Sequence, residues 1–426
     1  MSKIQSIRGM PDILPDDAAN WRRIETTVID VLQRYGYQEI RLPLLEKSEL
    51  FRRGIGEVTD IVEKEMYSFP DRKNESLSLR PEGTAGCVRA AIQHGLLERP
   101  QRLWYSGPMF RYERPQQGRQ RQFHQFGVEI FGLDGPDIDA ELLAMTAQFW
   151  QQLGLTDAVE LEINSLGTAA SREKHRSQLM TYLRDHQDEL DEDSTRRLES
   201  NPLRILDTKN PQMQTLVNEA PVLLDYLDME SAEHFSTLQE LLVGLGIQYR
   251  VNTRLVRGLD YYSRTVFEWV TDKLGAQGTV CGGGRYDGLI EQLGHKPCPA
   301  LGFGFGMERL VLLVAEVLKD TAKKETLAGT VADVYIVHGD AETLPAMQLA
   351  EQLRADRPDT AVQLHCGGGS YKSQFKKADR SGAEFAIVVG EEEVAKQIYT
   401  VKPLRTQAEQ MSLAYPAIVE YLSNGA

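Results

Sequence analysis

The sequence predicts an α+β protein with a largely antiparallel sheet, followed by a smaller domain in which strands and helices alternate. Strand-like runs at 102–113 and 123–131 are close enough in the chain to pair most simply as an antiparallel hairpin. Helices and further strands joined by short turns surround this hairpin, which favours an antiparallel core over a doubly wound parallel sheet. From residue 334 onward the strand and helix patterns instead follow one another in turn.

The spacing of apolar residues predicts each element of the first 165 residues. Apolar residues from Trp21 to Leu32 recur every three or four positions, which predicts a helix over 16–35 that stops at Gly36. Strands are predicted at 38–43, 77–79, 102–113, 123–131 and 159–163, and helices at 84–97 and 138–153.

Charges become dense and helical periodicity dominates between about residues 169 and 242. Strand signals return at 248–251 and 266–270, and an apolar helix is predicted over 307–318. We therefore predict a first domain over 1–325 that contains a helical insertion at about 169–242. At 426 residues the chain has room for two or three domains.

A polar run at 320–329 predicts a linker to the second domain. Beyond it, strands are predicted at 334–337, 361–365 and 385–389, and helices at 344–354, 371–380 and 406–421. This alternation predicts a small α/β domain over 330–426.

Composition narrows the class of protein. Hydrophobic residues make up 41% and charged residues 26% of the chain, and no run of 18 apolar residues predicts a membrane span. The N-terminus lacks the apolar stretch of a secretory signal, and four scattered cysteines without a Cys-x-x-Cys pair indicate thiols in a reducing cytoplasm. A net charge of −14 disfavours a DNA-binding protein and requires any RNA contact to use local basic patches.

The most informative stretch is 107–126, which places four arginines and Glu113 in the predicted hairpin loop. Guanidinium groups bind phosphate oxygens through a planar fork of donors, and Phe123 offers a face for an adenine ring. A solvated arginine-rich hairpin explains the same composition equally well.

Further clusters carry less information singly. Glu82 and Thr84 after a predicted strand suit an ammonium group, but they also suit simple capping of a helix. Polar or glycine-rich stretches at 256–262, 281–288 and 302–309 each indicate a turn or a close packing contact. The stretch at 281–288 lacks the Gly-Lys-Ser/Thr sequence of a P-loop, and the stretch at 302–309 lacks the glycine spacing of a dinucleotide-binding site.

In combination these motifs resemble those of class II aminoacyl-tRNA synthetases. Phe110–Glu113 in a hairpin is similar to motif 2, Gly302–Arg309 leading into a helix is similar to motif 3, and 35–43 resembles motif 1. Residues 257–262 and 283–287 are similar to the two histidine-specific motifs of histidyl-tRNA synthetases. The signature motifs of class I synthetases are absent.

The resemblance implies a class II catalytic core and a C-terminal anticodon-binding domain. It implies that histidine and ATP give histidyl-adenylate and pyrophosphate, after which the histidyl group passes to the terminal ribose of tRNA(His). The implied partners are L-histidine, tRNA(His) and a second subunit of a homodimer, with no membrane or DNA. ATP would come with Mg²⁺, and no metal site made by the protein itself is expected.

The resemblance also assigns roles to individual residues. The catalytic cations would be Arg111, Arg257 and Arg309. The ATP-binding residues would be Arg111, Glu113, Arg121, Phe123, Arg257 and Arg309, and either Arg121 or Arg119 would assist Arg309 at the terminal phosphates. The histidine-binding residues would be Glu82, Gly83, Thr84, Arg111, Gln125, Glu129, Arg257, Tyr261, Tyr262 and Tyr286.

Two groups of residues are candidates for contact with tRNA. Gln116 and Gln117 lie at the tip of the hairpin, where the acceptor end would approach. Helical spacing places four basic residues of the second domain in a stripe, formed by Lys372, Lys376, Lys377 and Arg380. A solvated helix face explains this stripe equally well.

Two alternatives from related proteins compete with this interpretation. One is a non-catalytic regulatory paralogue, like the subunit that serves ATP phosphoribosyltransferase, but such paralogues lack the C-terminal domain and the catalytic residues. The other is a class II synthetase for threonine, proline or glycine, which residues 257–262 and 282–287 disfavour.

Overall fold

The structure is a computed structural model that describes residues 3–56, 59, 61–200, 202–206, 208, 210–257, 259, 261–275, 278–319 and 332–423. The chain divides into two compact units, Met1–Glu325 and Thr326–Ala426. The linker predicted at 320–329 lies outside the described residues.

The described part of the first unit contains helices α1–α10 and strands β1–β11. The helices are α1 (Pro15–Arg34), α2 (Ser48–Ile55), α3 (Thr84–Gln93), α4 (Pro136–Gln152), α5 (Ala169–Asp185), α6 (Glu192–Ser200), α7 (Gln214–Glu219), α8 (Met229–Gly244), α9 (Gly288–Gln292) and α10 (Met307–Leu318). The strands are β1 (Gln38–Glu39), β2 (Leu45–Lys47), β3 (Ser68–Pro70), β4 (Ser76–Leu79), β5 (Gln101–Phe110), β6 (Gln122–Phe131), β7 (Glu160–Ser165), β8 (Tyr249–Val251), β9 (Ser263–Val270), β10 (Thr279–Arg285) and β11 (Ala300–Gly306).

An eight-stranded sheet organises the described residues of this unit, in the order β1-β5-β6-β11-β10-β9-β7-β8. The six central strands, β5-β6-β11-β10-β9-β7, pair antiparallel with one another. Strands β1 and β8 join the two edges in parallel. The predicted antiparallel α+β core is therefore confirmed, and the short strands β2, β4 and β3 form a separate antiparallel sheet.

The predicted hairpin is confirmed as the β5–β6 pair, whose register runs from Gln101 opposite Phe131 to Phe110 opposite Gln122. The strand predicted to reach residue 113 ends at Phe110, so the arginine-rich segment that follows lies in the loop. The first predicted helix is also confirmed, and its apolar stripe, including Ile24 and Val28, is buried in the main core.

For the glycine-rich stretches at 281–288 and 302–309, a turn or a close packing contact was expected, and the structure shows the close contact. They begin as β10 and β11, which lie side by side near the centre of the large sheet. Alternate residues of β11, such as Phe303 and Phe305, are buried in the apolar core on one face of the sheet. The glycines between them leave the opposite face open, and that face carries the candidate site.

Between β7 and β8 the described chain is helical, from α5 to α8. Part of this region has a small apolar core of its own, formed by Leu179, Leu183, Leu198, Ile205, Leu206, Met213, Leu216 and Ala220.

The strand predicted at 38–43 covers only Gln38–Glu39, where β1 meets β5.

The second unit holds a mixed five-stranded sheet within its described residues, in the order β13-β12-β14-β15-β16. Its strands are β12 (Val334–His338), β13 (Val362–Leu364), β14 (Phe385–Val389), β15 (Ile398–Pro403) and β16 (Met411–Ala414). Its helices are α11 (Thr343–Asp356), α12 (Tyr371–Arg380), α13 (Glu391–Lys396) and α14 (Tyr415–Ser423). The first three strands are parallel, as the alternating pattern predicts, whereas β15 and β16 are antiparallel.

The prediction of a helix over 406–421 is wrong for the first half of that range. Residues Met411–Ala414 alternate between half-buried and exposed positions and pair with β15, so they form β16. The helix begins only at Tyr415. Pairing with a strand that the sequence pattern did not indicate overrides the helical periodicity here.

Two further expectations concern the chain as a whole. The four cysteines Cys87, Cys281, Cys298 and Cys366 are free thiols, as predicted. Among the residues that the structure describes, no helix combines the length and apolarity needed to cross a membrane.

A fully buried ion pair joins α4 to β10. Arg285 and Asp139 form an ion pair with an N–O distance of 2.7 Å, and both side chains are inaccessible to solvent. The Nε atom of Arg285 also donates to the Asp139 carboxylate at 3.1 Å. Asp139 also accepts hydrogen bonds from His234 on α8 at 2.8 Å and from Thr265 on β9 at 2.6 Å. Burial opposes the charge of Asp139, but the His234 bond and the Arg285 charge outweigh it and lower the pKa of the carboxyl.

Replacing one partner should destabilise the first unit strongly. Asp139→Asn removes the one fully buried counter-charge of Arg285 and leaves only the more distant carboxylates of Asp287 and Asp134, at 3.7 and 3.8 Å. We expect a loss of about 3–5 kcal/mol in the free energy of unfolding. Urea unfolding followed by tryptophan fluorescence measures this, because all four tryptophans lie before residue 326. The matched control is Glu199→Gln, which breaks an exposed pair with Arg184 and should cost less than about 1 kcal/mol. Equal losses in the two variants would contradict the assignment.

Candidate active site

A cavity of about 210 Å³ opens on the glycine-bearing face of the large sheet. The loop after β5, strands β6, β10 and β11, and the start of α10 form its walls. It is lined by Arg111, Glu113, Gly118, Arg119, Gln120, Phe123, Gln125, Arg257, Thr279, Val280, Cys281, Gly282, Gly304, Phe305, Gly306, Glu308 and Arg309. Residues predicted from distant parts of the sequence to contact ATP therefore share one cavity.

Arg111 lies just beyond the end of β5 and is held in place by the backbone. Its Nε atom donates to the carbonyl oxygen of Pro81 at 2.9 Å, and its guanidinium lies 5.2 Å from the centre of the Phe123 ring. Arg119 forms an ion pair with Glu113, whose side chain is 8% exposed. The loop thus presents cations, one carboxylate and an aromatic face to the same space.

Arg121 is placed differently from its predicted role in ATP binding. Its guanidinium lies 3.9 Å from the centre of the Tyr112 ring, and its Nε atom donates to the carbonyl oxygen of Glu113 at 3.2 Å. Arg121 is not among the residues that line the cavity, whereas Arg119 is. The structure therefore favours Arg119 as the second arginine of this loop.

Arg257 and Arg309 are joined by a chain of polar contacts across the cavity. Arg257 forms an ion pair with Glu268, and Thr279 donates its hydroxyl to the same carboxylate at 2.8 Å. The carbonyl oxygen of Thr279 accepts from Arg309 at 2.8 Å. Residue Thr279 on β10 therefore fixes the separation of two cations that enter the site from different segments.

The electrostatics of this half of the cavity favour an anion. Burial, together with the neighbouring charges of Arg119 and Arg111, lowers the pKa of Arg309. Burial also opposes the charge of Arg257, but the Glu268 carboxylate outweighs it and raises the pKa of that guanidinium. Several cations that destabilise one another at a partly buried position gain from a bound polyanion such as a phosphate chain.

A second, more buried group lies beside the cavity and centres on Glu129 of β6, which is 1% exposed. Tyr105 donates its hydroxyl to one carboxylate oxygen at 2.9 Å, and Tyr286 donates to the other. Burial, partly offset by bonds from hydroxyl groups including those of Tyr286 and Tyr105, raises the pKa of Glu129 to about 8. The ring of Tyr261 lies 4.7 Å from that of Tyr262 and 5.6 Å from that of Tyr286.

Tyr105 was missed by the sequence interpretation, because it lies within a strand and belongs to none of the motifs. In the structure, two glycines that are distant in sequence mark the position of Tyr105. A Cβ atom at either Gly83 or Gly127 would overlap the Tyr105 ring. The two glycines therefore make the slot from which Tyr105 reaches Glu129, and their distance in sequence hides this relation.

Glu82 acts as the capping group at the start of α3. Its two carboxylate oxygens accept from the backbone nitrogens of Thr84 at 2.6 Å and Ala85 at 2.9 Å. Capping is therefore present, with Glu82 rather than Thr84 in that role. Burial raises the pKa of Glu82, and its charge raises that of Glu129 as well, so two buried carboxylates share one neighbourhood. Such a pair favours a bound cation.

Glycines of β10 and β11 make room for these side chains. A Cβ atom at Gly302 would overlap the Glu129 carboxylate, and one at Gly304 would overlap the Gln125 amide. At Gly282 it would approach the Arg257 guanidinium within 2.5 Å. The pattern Gly-x-Gly-x-Gly therefore keeps one face of the sheet bare, so that polar side chains from β6 and from residue 257 can lie across it.

The residues predicted to contact tRNA are not among those that line this cavity. Gln116 and Gln117 are exposed at the tip of the β5–β6 loop, where Gln116 pairs with Arg119 through a backbone bridge. All four basic residues of the predicted stripe, Lys372, Lys376, Lys377 and Arg380, are exposed on α12 of the second unit.

The raised pKa of Glu129 predicts a specific pH dependence of stability. Because the folded protein holds a proton on Glu129 that the unfolded chain releases above its ordinary pKa of 4.5, stability is lost as the pH rises towards about 8. Glu129→Gln removes this ionisation, so the variant should gain stability relative to the native protein between about pH 5 and pH 8. Urea unfolding of both proteins across this range measures the difference, and parallel pH profiles would contradict it.

Comparisons with known proteins agree with this geometry. The model of the family described as histidyl-tRNA synthetase matches residues 9–310. A second family model, described as an anticodon binding domain, matches residues 333–424. The first match alone covers more than half of the 426 residues and includes every described element of the candidate site.

Similar solved structures extend over nearly the whole chain. The apo histidyl-tRNA synthetase of S. aureus is 36% identical with a TM-score of 0.80, covering 98% of this chain and 99% of that one. The histidyl-tRNA synthetase of a Nostoc species, at 19% identity and a TM-score of 0.70 with 99% of both chains covered, shares the fold. So does a Bacillus halodurans protein described as an ATP phosphoribosyltransferase regulatory subunit/histidyl-tRNA synthetase, at 24% identity and a TM-score of 0.66, covering 92% of this chain and 99% of that one. From its motifs, its fold and these matches, the chain belongs to the histidyl-tRNA synthetase family of class II aminoacyl-tRNA synthetases and is a histidine–tRNA ligase.

Proposed function

We propose that the cavity between the β5–β6 loop and α10 is the place where histidine and ATP react. The observation that carries this proposal is the convergence of Arg111, Arg257 and Arg309 on one cavity beside the buried Glu129 group. Arg257 connects the two parts, since it lines the cavity and its guanidinium lies 5.5 Å from the centre of the Tyr262 ring.

In the first step a carboxylate oxygen of histidine attacks the α-phosphorus of ATP. The new oxygen–phosphorus bond gives histidyl-adenylate, and the bond to the bridging oxygen breaks to release pyrophosphate. Negative charge builds up on the phosphate oxygens in the transition state, so fixed cations supply the main stabilisation. Arg111 and Arg257 would hold the α-phosphate from two sides, and Arg309 would hold the terminal phosphates.

The Glu129 group is the proposed site of the histidine side chain. An imidazole ring presents one nitrogen donor and one nitrogen acceptor at opposite edges. Glu129 and the hydroxyl of Tyr262 would engage these two edges, with Tyr261 and Tyr286 along the ring. An apolar competitor would leave both groups unpaired in a buried position, which supports discrimination on the order of 10⁴-fold or more.

The α-amino group of histidine would lie against Glu82, Thr84 and Gln125, where two observations support it. Glu82 is buried with a carboxylate whose charge burial disfavours, and the Gln125 side-chain oxygen is buried without a hydrogen-bond partner. An ammonium group supplies both a positive charge and three donors. Gly83, where the absence of a side chain makes room for Tyr105, would lie in the same wall.

For ATP, Glu113 would accept from the adenine amino group and Phe123 would stack on the ring. Of the two other arginines in this loop, Arg119 has the better position to assist. We propose that Mg²⁺ accompanies the phosphates. No group of three or more His, Cys, Asp or Glu that could hold a metal occurs in the part of the chain that the structure describes, which fits an ion bound chiefly through ATP oxygens.

The second step requires tRNA(His), and we propose how the chain is arranged for it. Residues 1–325 would form the catalytic domain, with the insertion at 169–242 and the glutamines at 116 and 117 near the acceptor end. Residues 330–426 would bind the anticodon, partly through the stripe on α12. Free cysteines support a reducing cytoplasm as the compartment.

A homodimer is proposed from the surface around the motif 1 segment. Leu44, Leu45 and Phe69 are each more than 40% exposed and lie in or next to the small sheet of β2, β4 and β3. Grouped exposed apolar side chains commonly mark an interface. Sedimentation velocity would show a single-subunit mass if this proposal were wrong.

Two substitutions should divide the site into its reacting and recognising parts. Arg257→Ala removes a cation at the α-phosphate, so histidine-dependent ATP–pyrophosphate exchange should fall by ~10²–10³ while histidine binding survives. Tyr262→Phe removes only a hydroxyl from the imidazole site, so the KM for histidine should rise about tenfold with the KM for ATP unchanged.

Exchange assayed with each of the twenty amino acids, together with calorimetric titration of histidine, measures both effects. Arg184→Ala, which removes an exposed arginine paired with Glu199, is the control and should match the native protein. An unchanged exchange rate in Arg257→Ala would exclude its proposed role. A change in the KM for ATP alone in Tyr262→Phe would exclude the imidazole site.

The proposed anticodon contact can be tested separately from the activation of histidine by ATP. Lys376→Glu with Lys377→Glu should raise the KM for tRNA severalfold and weaken its salt dependence, because phosphate contacts are lost. ATP–pyrophosphate exchange without tRNA should not change. Lys396→Glu, an exposed lysine of the same unit on α13, is the control. Aminoacylation kinetics at several salt concentrations would reveal a purely solvated stripe if the double variant behaved like this control.

A further inference from the structure

Arg172 links the helical region between β7 and β8 to the tyrosines of the candidate histidine site. It lies in the first turn of α5 and donates from its guanidinium to the carbonyl oxygen of Tyr262 at 2.8 Å. The ladder of β9 with β10 begins only at Ser263, so the Tyr262 carbonyl lies just outside it. A side chain from α5 thus holds the backbone at the end of the segment that carries both tyrosines.

The base of Arg172 is itself fixed. The hydroxyls of Thr168 and Ser171 donate to one oxygen of Asp228 at 2.9 and 2.8 Å, and Asp228 caps the start of α8 by accepting from the nitrogen of Ser231 at 2.9 Å. One carboxylate therefore ties together the first turns of α5 and α8. The backbone position from which the Arg172 side chain extends to Tyr262 is therefore fixed.

The backbone that Arg172 holds departs from regular strand geometry. Two residues after Tyr262, Arg264 has a φ of 45°, in the left-handed region that a residue with a side chain rarely adopts. The β9–β10 register also shifts between Gly284 and Arg285, where the pairing reaches Ser263. Such a backbone persists only where its surroundings fix it. The hydrogen bond from Arg172 is one of the contacts that do so.

The contact also lies beside the reacting groups. Arg172, Arg257 and Tyr262 line one cavity of about 280 Å³. Leu166, just before α5, and Leu223, shortly before α8, are buried in the same apolar cluster as Tyr261, Tyr262 and Tyr286. Apolar packing therefore fixes the tyrosine rings, and the Arg172 bond fixes the chain direction at Tyr262.

We propose that Arg172 is a positioning residue for histidine recognition, which acts by holding the Tyr262 carbonyl so that the two tyrosine side chains face Glu129. This inference rests on the proposed histidine site. Loss of one hydrogen bond from a charged donor should let the segment relax and raise the KM for histidine about tenfold. ATP, bound by residues on other segments, should be unaffected.

The experiment compares Arg172→Ala, Arg172→Lys and Arg176→Ala by steady-state ATP–pyrophosphate exchange. Arg176 lies one turn further along α5, lines the same cavity and donates to the carbonyl oxygen of Glu199, so it is a matched control. The expected result is a raised KM for histidine in Arg172→Ala, an intermediate value in Arg172→Lys and native behaviour in Arg176→Ala. The KM for ATP and the melting temperature should match the native protein in all three.

Other outcomes would overturn the inference. Equal rises in both KM values, or a lowered melting temperature without rescue by lysine, would indicate a general structural role. Normal exchange with impaired tRNA charging would make Arg172 a tRNA contact instead. Tyr262→Phe separates this inference from the proposed site: if it raises the KM for histidine and Arg172→Ala does not, only the role of Arg172 fails. If Tyr262→Phe has no effect, the proposed imidazole site fails first.

Discussion

The buried pair of Asp139 and Arg285 is the interaction on which the site depends. Moving two charges out of water costs several kcal/mol each, so the pair is tolerated only because further hydrogen bonds complete it. Arg285 also donates to the carbonyl oxygen of Gly135 at 2.6 Å, and Asp139 accepts from α8 and β9. The next residue, Tyr286, donates to Glu129. The ion pair therefore fixes the end of β10, and with it the hydroxyl that stabilises the buried carboxylate.

A second constraint comes from the glycines that make the site possible. Glycine in a strand weakens it, because the chain loses more freedom on folding and contributes no side chain to pack. Of two adjacent central strands, β11 nevertheless carries glycine at alternate positions, and β10 carries three glycines in succession at 282–284. Their other face packs phenylalanines into the main core, so burial there offsets the weakness. The sheet thus has one face built for stability and one kept bare for polar side chains.

The sequence predicts what local pattern determines and misses what distant pairing determines. The helix at α1, the β5–β6 hairpin and helix α12 follow from periodicity within one segment, and the structure confirms them. Strands β10 and β11 were not predicted as strands, since the pairing that forms them is with each other and with β6 and β9. For the same reason the sequence did not predict β16, whose partner is β15.

The same division applies to the site. Motif resemblance identified Arg111, Arg257 and Arg309, and the structure brings all three to one cavity. Tyr105 and Arg172 were missed because each acts on a residue more than twenty positions away, without a short motif to mark it. Arg121 and Arg119 are two positions apart in one loop, so spacing alone could not tell which would face the cavity.

The charged side chains of the site explain how a substrate would be oriented in it. One half holds the buried carboxylates of Glu82 and Glu129, whose ionised forms burial disfavours. The other half holds arginines, of which Arg309 is destabilised by its neighbours. A molecule with an ammonium group at one end and a carboxylate at the other can pair both groups with opposite charges of the site in only one orientation. On the proposed assignment, the amino group and imidazole of histidine lie towards the carboxylates and its own carboxylate lies towards Arg111 and Arg257. Attack on the α-phosphate then requires no further reorientation. A bound ammonium group would also favour the ionised carboxylates that burial alone disfavours.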